Sequence, residues 1–311
     1  MRLVFCGTPA FAVPVLERLT QAGFALQLVV TRPDKLKGRG MEMAVSPVKQ
    51  AALDLHLPIT QPHAIKNNAE FRSQLEALHP DAIIVVGYGR IIPQWMIDLP
   101  PLGNINLHSS LLPKYRGAAP VQWAIACGET VTGVTTMRID AGLDTGDMLQ
   151  QRELAIGDDD TAETLSPKLA AVGADLMVKT LWGLEKGTVF PQPQDHGKAS
   201  LAPILRKEDG RIDFGLSAIE ILNRLRGFQP WPGAYTTFRG KQLVVCRAKV
   251  VEYGQALPPS SLLTENNRLL AACRGSILEL LEVQPEGKQR ITARDFLNGY
   301  RPQPGEKLGL S

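Results

Sequence analysis

Two polar side chains, Asn106 and His108, stand two positions apart in the short run NINLH, which is soon followed by Pro113. If this run is a strand, both side chains point to one side, near the point where the strand ends. An amide there can donate a hydrogen bond to a carbonyl oxygen that gains negative charge, and an imidazole can accept or donate a proton near neutral pH. The alternative is a histidine of the core, with its hydrogen bonds satisfied, beside an asparagine that bonds to the turn.

Three aspartates, Asp140, Asp144 and Asp147, follow in the glycine-containing stretch of residues 137–149. The spacing does not fit a calcium loop, because Gln151 stands at the twelfth position, where such a loop needs a glutamate. A carboxylate beside a histidine at a strand end can instead hold and charge the imidazole or relay protons. Turn formation is the alternative role for Asp140 and Asp147.

The elements around these residues alternate between predicted strands and predicted helices. Apolar, β-rich runs at residues 2–7, 24–31 and 81–89 predict strands, and the last is apolar enough to be buried on both faces. This alternation predicts a mostly parallel α/β sheet, in which ligands bind beyond the carboxyl ends of the strands. The end of NINLH is such a position.

Two predicted helices begin with capping residues. Ser46 precedes Pro47, so its hydroxyl can cap a helix whose first position is a proline. Asp160, with Glu163 three residues later, predicts a capping box at the start of a long amphipathic helix that Gly187 ends.

The pattern along the chain divides it into two domains. We predict an α/β domain at residues 1–189, a linker rich in Pro and Gln at 190–208 and a smaller domain at 209–311. Short β-type runs separated by turns, from residue 233 onward, are typical of a small barrel or sandwich. Residues 205–311 hold 16 Lys and Arg against 11 Asp and Glu, a net charge of +5 that suggests a polyanionic partner. A solvated basic surface is the alternative.

The composition is that of an ordinary soluble globular protein: of 311 residues, 44% are hydrophobic and 21% charged. No apolar run reaches the roughly 18 residues that a membrane span needs, and the N-terminal run breaks too early for a signal peptide, so we expect a cytoplasmic protein. The four cysteines form no C-x-x-C pair, which predicts neither zinc nor disulfides. We expect Cys6 and Cys127 to be small buried residues. We also expect the protein to be a monomer.

The stretches NLHSSLLPKYRGAAPVQWAI and TGVTTMRIDAGLDTGDML closely resemble the methionyl-tRNA formyltransferases, part of a wider group that uses 10-formyltetrahydrofolate. The segments VFCGTPAFAVPVLE, TRPDKLKGRGMEMAVSPVK, SLAPILRKEDGRIDF and RGFQPWPGAY extend the resemblance along nearly the whole chain. It implies a Rossmann-like, mostly parallel sheet domain followed by a smaller OB-like β-barrel domain. It also implies transfer of a formyl group from 10-formyltetrahydrofolate to the α-amino group of methionyl-initiator tRNA, for initiation of translation, without a metal.

By this resemblance Asn106, His108 and Asp144 form the catalytic set. The amine of the methionyl ester attacks the formyl carbon, and Asn106 and His108 donate hydrogen bonds to the oxyanion. Asp144 sets the ionisation of His108 and helps to move a proton to the leaving nitrogen; which of the two takes the first proton is left open. The resemblance places the folate site at Ser110, Leu111, Leu112, Pro113, Gly87, Tyr88, Ile92 and Asp140, where ordinary core and turn residues are the alternative.

The same resemblance assigns the basic segment 34–40 to the acceptor stem of tRNA. Arg39, between two glycines, is the expected main contact because guanidinium groups suit phosphates and base edges. Lys35 and Lys37 are expected beside it, and a solvated loop is the alternative. The remaining expected tRNA contacts are Arg206 and Lys207.

Three other functions fit parts of the sequence. A formyltransferase that acts on a sugar nucleotide or a glycinamide nucleotide could use the same three residues, but the basic loop and the basic C-terminal domain favour tRNA. An RNA-binding protein with an inert α/β domain would leave those residues unexplained. A dinucleotide oxidoreductase is disfavoured because Gly7 is followed by Thr8 and Pro9 rather than by a G-x-G-x-x-G pattern.

Overall fold

The computed structural model describes residues 1–37, 42–254, 257–303 and 305–309, with the backbone alone for 35–37, 42 and 43. The chain forms two compact units, each built from several segments. The first unit comprises Met1–Pro120, Val131–Ala155 and Ser166–Ala202, and the second comprises Val121–Thr130, Ile156–Leu165 and Pro203–Ser311.

A seven-stranded sheet forms the centre of the first unit. In chain order the strands are β1 (Arg2–Gly7), β2 (Ala25–Val30), β3 (Lys35–Lys37), β4 (Glu42–Ala44), β5 (Ile59–Thr60), β6 (Ala82–Val86), β7 (Asn104–His108), β8 (Val131–Arg138) and β9 (Met148–Ala155). Strands β3 and β4 pair with each other, and the other seven lie in the order β5-β2-β1-β6-β7-β8-β9. Neighbours from β5 to β7 are parallel, and β8 and β9 are antiparallel additions. The prediction of a mostly parallel α/β sheet is confirmed.

Six α-helices are described along this part of the chain: α1 (Val13–Gln21), α2 (Pro47–Asp54), α3 (Ala69–Leu78), α4 (Gln94–Ile97), α5 (Pro120–Ala126) and α6 (Ala162–Glu185). The residues of α5 after Pro120 and those of α6 before Ser166 belong to the second unit. The predicted cap of α2 is confirmed, since the Ser46 hydroxyl accepts a hydrogen bond from the Lys49 backbone N–H at 3.1 Å. The predicted cap of α6 is wrong by one residue. The hydroxyls of Thr161 and Thr164 each accept from the other's backbone N–H, and Asp160 accepts from Gly157 instead.

The order of the strands opens a crevice at the carboxyl ends of the central strands. The chain runs from β1 out to β5 and returns to β6 on the other side of β1, so the loops after β1 and β6 leave in opposite directions. Strand β7 lies parallel to β6, and its side chains alternate between the two faces. Leu107 packs towards α6, where a Cβ on Gly173 would come within 2.5 Å of the Leu107 side chain. Glycine therefore lets the helix lie this close, while Asn106 and His108 point the other way.

The second unit is built around an antiparallel sheet, which confirms the predicted β-rich domain. Its strands lie in the order β10-β11-β14-β13-β12, with β15 paired to β14. Buried residues of two helices, including Leu225 and Phe296, share its core. The elements are α7 (Ala218–Gly227), β10 (Ala234–Phe238), β11 (Lys241–Val251), β12 (Leu262–Glu265), β13 (Arg268–Cys273), β14 (Ser276–Pro285), β15 (Ile291–Thr292) and α8 (Ala293–Tyr300).

Much of the predicted linker at 190–208 packs on the first unit. Gln192 and Met148 exchange two backbone hydrogen bonds of 2.8 Å, and the Ala202 backbone N–H donates to the Arg116 carbonyl at 2.7 Å. Residues up to Ala202 are thus anchored next to β9 and to the chain after β7.

No helix in the described ranges is long and apolar enough to cross a membrane. All four cysteines are free; Cys6 is buried as predicted, but Cys127 is exposed. The prediction for Cys127 is wrong because the residue follows the last turn of α5, where the chain has already left the core.

Candidate active site

A cavity of about 720 Å³ opens at the carboxyl ends of β1, β6 and β7. The order of the strands predicts a ligand site at these carboxyl ends. The residues that line it include all three predicted catalytic residues, Asn106, His108 and Asp144. Two strand-end side chains and one loop carboxylate therefore face a common space.

The His108 ring is held on both sides. Its Nε2 lies 2.9 Å from the Tyr115 carbonyl oxygen, and its Nδ1 lies 3.7 Å from the Asp144 carboxylate. A carbonyl oxygen only accepts, so Nε2 carries the proton of the neutral ring. Nδ1, on the side of Asp144, is then the ring nitrogen with a free lone pair.

Asp144 is held in place by the backbone of the segment after β7. Its Oδ2 accepts a hydrogen bond of 2.8 Å from the Gly117 N–H. Its own backbone has a left-handed φ of 51°, a conformation that Asp tolerates better than most residues. Gly117 has a φ of 123°, and a Cβ there would lie 2.6 Å from the Ala202 carbonyl oxygen, so the donor has to be a glycine.

Asp140 supports the same loop rather than His108. Its carboxylate accepts a hydrogen bond of 3.0 Å from the Gly142 N–H and also accepts from the Thr145 hydroxyl, which lies 2.8 Å from each carboxylate oxygen. This is the turn role that the sequence left open for Asp140, and the residue also lines the cavity.

The Asn106 amide has no hydrogen-bond partner within the part of the chain that the structure describes. Its backbone pairs with Val85 and Met137, which fixes the strand beneath it. The side chain is half-buried and lines the cavity, so both N–H groups are available to a bound molecule.

The structure brings only some of the predicted folate residues into this cavity. Gly87, Tyr88, Ile92 and Asp140 line it. The segment Ser110, Leu111, Leu112 and Pro113 is not among its lining residues. Instead, the Ser110 hydroxyl donates to the Lys114 carbonyl at 2.7 Å, and the Leu112 carbonyl accepts from the Gln151 amide at 2.8 Å. These residues shape the turn after β7.

Tyr88 does not serve as a base in this cavity. Burial raises the pKa of its phenol to about 12, and its hydroxyl is buried without a partner among the described residues. The phenol therefore stays neutral at physiological pH.

Several cavity residues were missed from the sequence. Phe11 lies just after β1, and Ile91 and Leu143 are large apolar residues that are 91% and 64% exposed at the rim. An apolar ligand could cover these two exposed side chains when it enters the cavity. A sequence signal existed for Ile91, which lies five residues after the end of β6, in the loop at the carboxyl end of that strand.

None of the predicted tRNA residues is among those that line this cavity, and one of them lies outside the described residues. Lys35 and Lys37 belong to β3, of which the backbone alone is described, and Arg39 lies outside the described residues. Arg206 and Lys207 are exposed in the second unit. Across the described ranges, no group of three or more His, Cys, Asp or Glu could hold a metal ion.

The sequence matches the family "Formyl transferase" over residues 1–181 and "Formyl transferase, C-terminal domain" over residues 204–301. A methionyl-tRNA formyltransferase of Koribacter versatilis is 65% identical over 310 residues, which cover 99% of each chain. One of Acidobacterium capsulatum is 61% identical over 310 residues, covering 99% of this chain and 100% of that protein. WlaRD, a sugar 3N-formyl transferase solved in the presence of dTDP and 5-N-formyl-THF, has a TM-score of 0.66 at 19% identity, over 93% of this chain and 99% of that chain. This last likeness concerns the fold.

Proposed function

The chain belongs to the methionyl-tRNA formyltransferase family, and from this premise we propose that Asn106, His108 and Asp144 catalyse its reaction. The formyl group of 10-formyltetrahydrofolate passes to the α-amino group of methionyl-initiator tRNA, a step of translation initiation. One observation carries the assignment of the residues. Both strand-end side chains and the loop carboxylate line one cavity, with His108 Nδ1 3.7 Å from Asp144.

His108 Nδ1 takes the first proton in this mechanism. The amine attacks the formyl carbon, a C–N bond forms, and the carbonyl oxygen becomes an oxyanion. Because Nε2–H is donated to the Tyr115 carbonyl, Nδ1 is the ring nitrogen free to accept the proton that the amine loses. The Asp144 carboxylate, 3.7 Å away, then faces the positive ring. The proton finally passes to the leaving N10 as its bond to carbon breaks.

Asn106 stabilises the oxyanion. Its amide has no other partner among the described residues and lies on the same strand face as His108. A hydrogen-bond donor that already points towards the position of the developing charge does not have to reorient during the reaction, so no reorganisation energy is added to the barrier. The pteridine of the folate is expected among Gly87, Tyr88 and Ile92, whose backbone groups lie beyond the end of β6.

We expect the basic segment 34–40 to contact the acceptor stem through Arg39, Lys35 and Lys37. Arg206 and Lys207 would follow phosphates; both belong to the stretch 205–311, whose net charge is +5.

An acceptor assay tests the proposed function. The enzyme is given 10-formyltetrahydrofolate with methionyl-tRNA, a UDP-amino-sugar or a glycinamide nucleotide, and formylated product is measured. We expect product from methionyl-tRNA alone. Product from the sugar alone would overturn the assignment, and tRNA binding without any product would identify a binding protein.

Replacing Lys35, Lys37 and Arg39 together by alanine should weaken the dependence of tRNA affinity on salt. Each lost phosphate contact lowers the slope of log K against log salt by about 1. The slope is measured by filter binding across a salt series. A variant with three exposed lysines changed elsewhere, Lys66, Lys179 and Lys186, has the same charge and should keep the wild-type slope. Equal slopes for the two variants would show that the loop does not touch phosphate.

A further inference from the structure

A buried glutamine, Gln194, bridges the Asp144 loop to the segment after β7. Its side chain is 6% exposed, and its Nε2 donates to the carbonyl oxygens of Asp144 at 2.8 Å and Gly146 at 2.7 Å. Its Oε1 accepts from Arg116 Nε at 3.1 Å and from Arg116 Nη2 at 2.6 Å. Every donor and acceptor of this amide is used, so its orientation is fixed.

Arg116 is the other half of this bridge. It is 7% exposed, and Nη2 also lies 3.2 Å from the Nδ1 of His196. These partners are an amide oxygen and an imidazole nitrogen; among the described residues no carboxylate pairs with this guanidinium. A buried cation without a counter-charge is costly, so a structural role alone would be served as well by an apolar contact.

The contact between Gln194 and Arg116 belongs to a set of contacts that hold the catalytic residues in place. Tyr115 holds His108 through its carbonyl, and Gly117 holds Asp144 through its N–H. Between them, Arg116 reaches Gln194, which holds the backbone of Asp144. Three consecutive residues thus fix His108, Gln194 and Asp144 relative to one another.

We propose that Gln194 and Arg116 are positioning residues, which set the distance between the Asp144 carboxylate and His108 for the transfer of the formyl group. This inference rests on the proposed function. Gln194 is not among the residues that line the cavity. It acts on the loop that carries Asp144 by donating hydrogen bonds to the Asp144 and Gly146 carbonyls. A shift of about 1 Å in a reacting group can cost about 100-fold in rate.

Gln194→Glu tests the proposal without removing the side chain. The carboxylate keeps a partner for Arg116 but has no N–H for the carbonyls of Asp144 and Gly146, which it repels. We expect kcat with methionyl-tRNA to fall by about 100-fold, KM values to change by less than about threefold and the melting temperature to stay near that of the wild type. Gln192→Glu, an exposed glutamine two residues away, is the matched control and should keep kcat.

A double-mutant cycle with Asp144→Asn separates positioning from a merely structural role. If Gln194 acts through the Asp144 carboxylate, Gln194→Glu lowers kcat little further once that carboxylate is gone. Full additivity of the two losses would overturn the proposal, as would an unchanged kcat in Gln194→Glu. Gln194→Met, which lacks both donor and acceptor, repeats the cycle if the first variant does not fold. If Gln194→Glu and Gln194→Met both melt below the assay temperature, Gln194 is needed for folding, and this result would also overturn the proposal. A wild type inactive on methionyl-tRNA would instead reject the proposed function itself.

Discussion

Asn106→Ala lowers kcat for formylation by about 100- to 1,000-fold, or about 3–4 kcal/mol, because the oxyanion loses a donor that is fixed in advance. The ground-state carbonyl binds the same donor less strongly, so KM for the folate changes little. Single-turnover formylation of methionyl-tRNA, with both substrates saturating, measures the effect. Asn106 has no structural hydrogen bond among the described residues, so the melting temperature should hold.

Two further variants sharpen this result. Asn106→Asp keeps the size of the side chain but removes its N–H groups, and it should lose as much activity as alanine does. Asn67→Ala, at an exposed position in the same unit, is the control that should retain full kcat. An Asn106→Ala enzyme within about threefold of the wild type would mean that the oxyanion is stabilised by other groups.

His108→Ala lowers kcat by about 100- to 10,000-fold, the range for loss of a general acid and base. The ring is 6% exposed and holds its place through Tyr115, so its removal leaves a space beside Asp144. Free imidazole can enter that space, and we expect it to restore part of the single-turnover rate. His63→Ala, an exposed histidine of the same unit, should have wild-type activity with or without imidazole.

If kcat of His108→Ala falls by less than about tenfold, His108 does not transfer the proton in this reaction. A large loss without rescue, together with a lowered melting temperature, would point to packing rather than chemistry as its cause.

The sheet and the pair on β7 could be predicted because their signals are local. The run AIIVV is apolar throughout, as a strand buried on both faces must be, and the structure buries all five residues of β6. Asn106 and His108 share a face because side chains alternate along a strand. Asp144 was found from a resemblance, and the cavity then fits the geometry that a strand-end pair and a loop carboxylate require.

The rest depends on contacts that no local pattern marks. Gln194 meets Arg116 across 78 positions of sequence, in a stretch whose Pro and Gln content predicts a linker. The backbone of Leu112 is held by side chains far away in the sequence, since its N–H donates to the Thr135 hydroxyl and its carbonyl accepts from the Gln151 amide. The first residue of α6 depends on whether Thr161 or Asp160 caps it, and both are good caps.

The affinity for a tetrahedral adduct tests the central claim most directly. A folate analogue whose 10-formyl group is replaced by a hydrated ketone resembles the adduct, whereas 10-formyltetrahydrofolate, supplied without tRNA, carries the ground-state carbonyl. Calorimetry with the wild type and Asn106→Ala should show a loss of affinity of about 100-fold or more for the adduct analogue and less than about threefold for 10-formyltetrahydrofolate. Equal losses for both ligands would contradict the claim that Asn106 and its neighbours recognise the tetrahedral state.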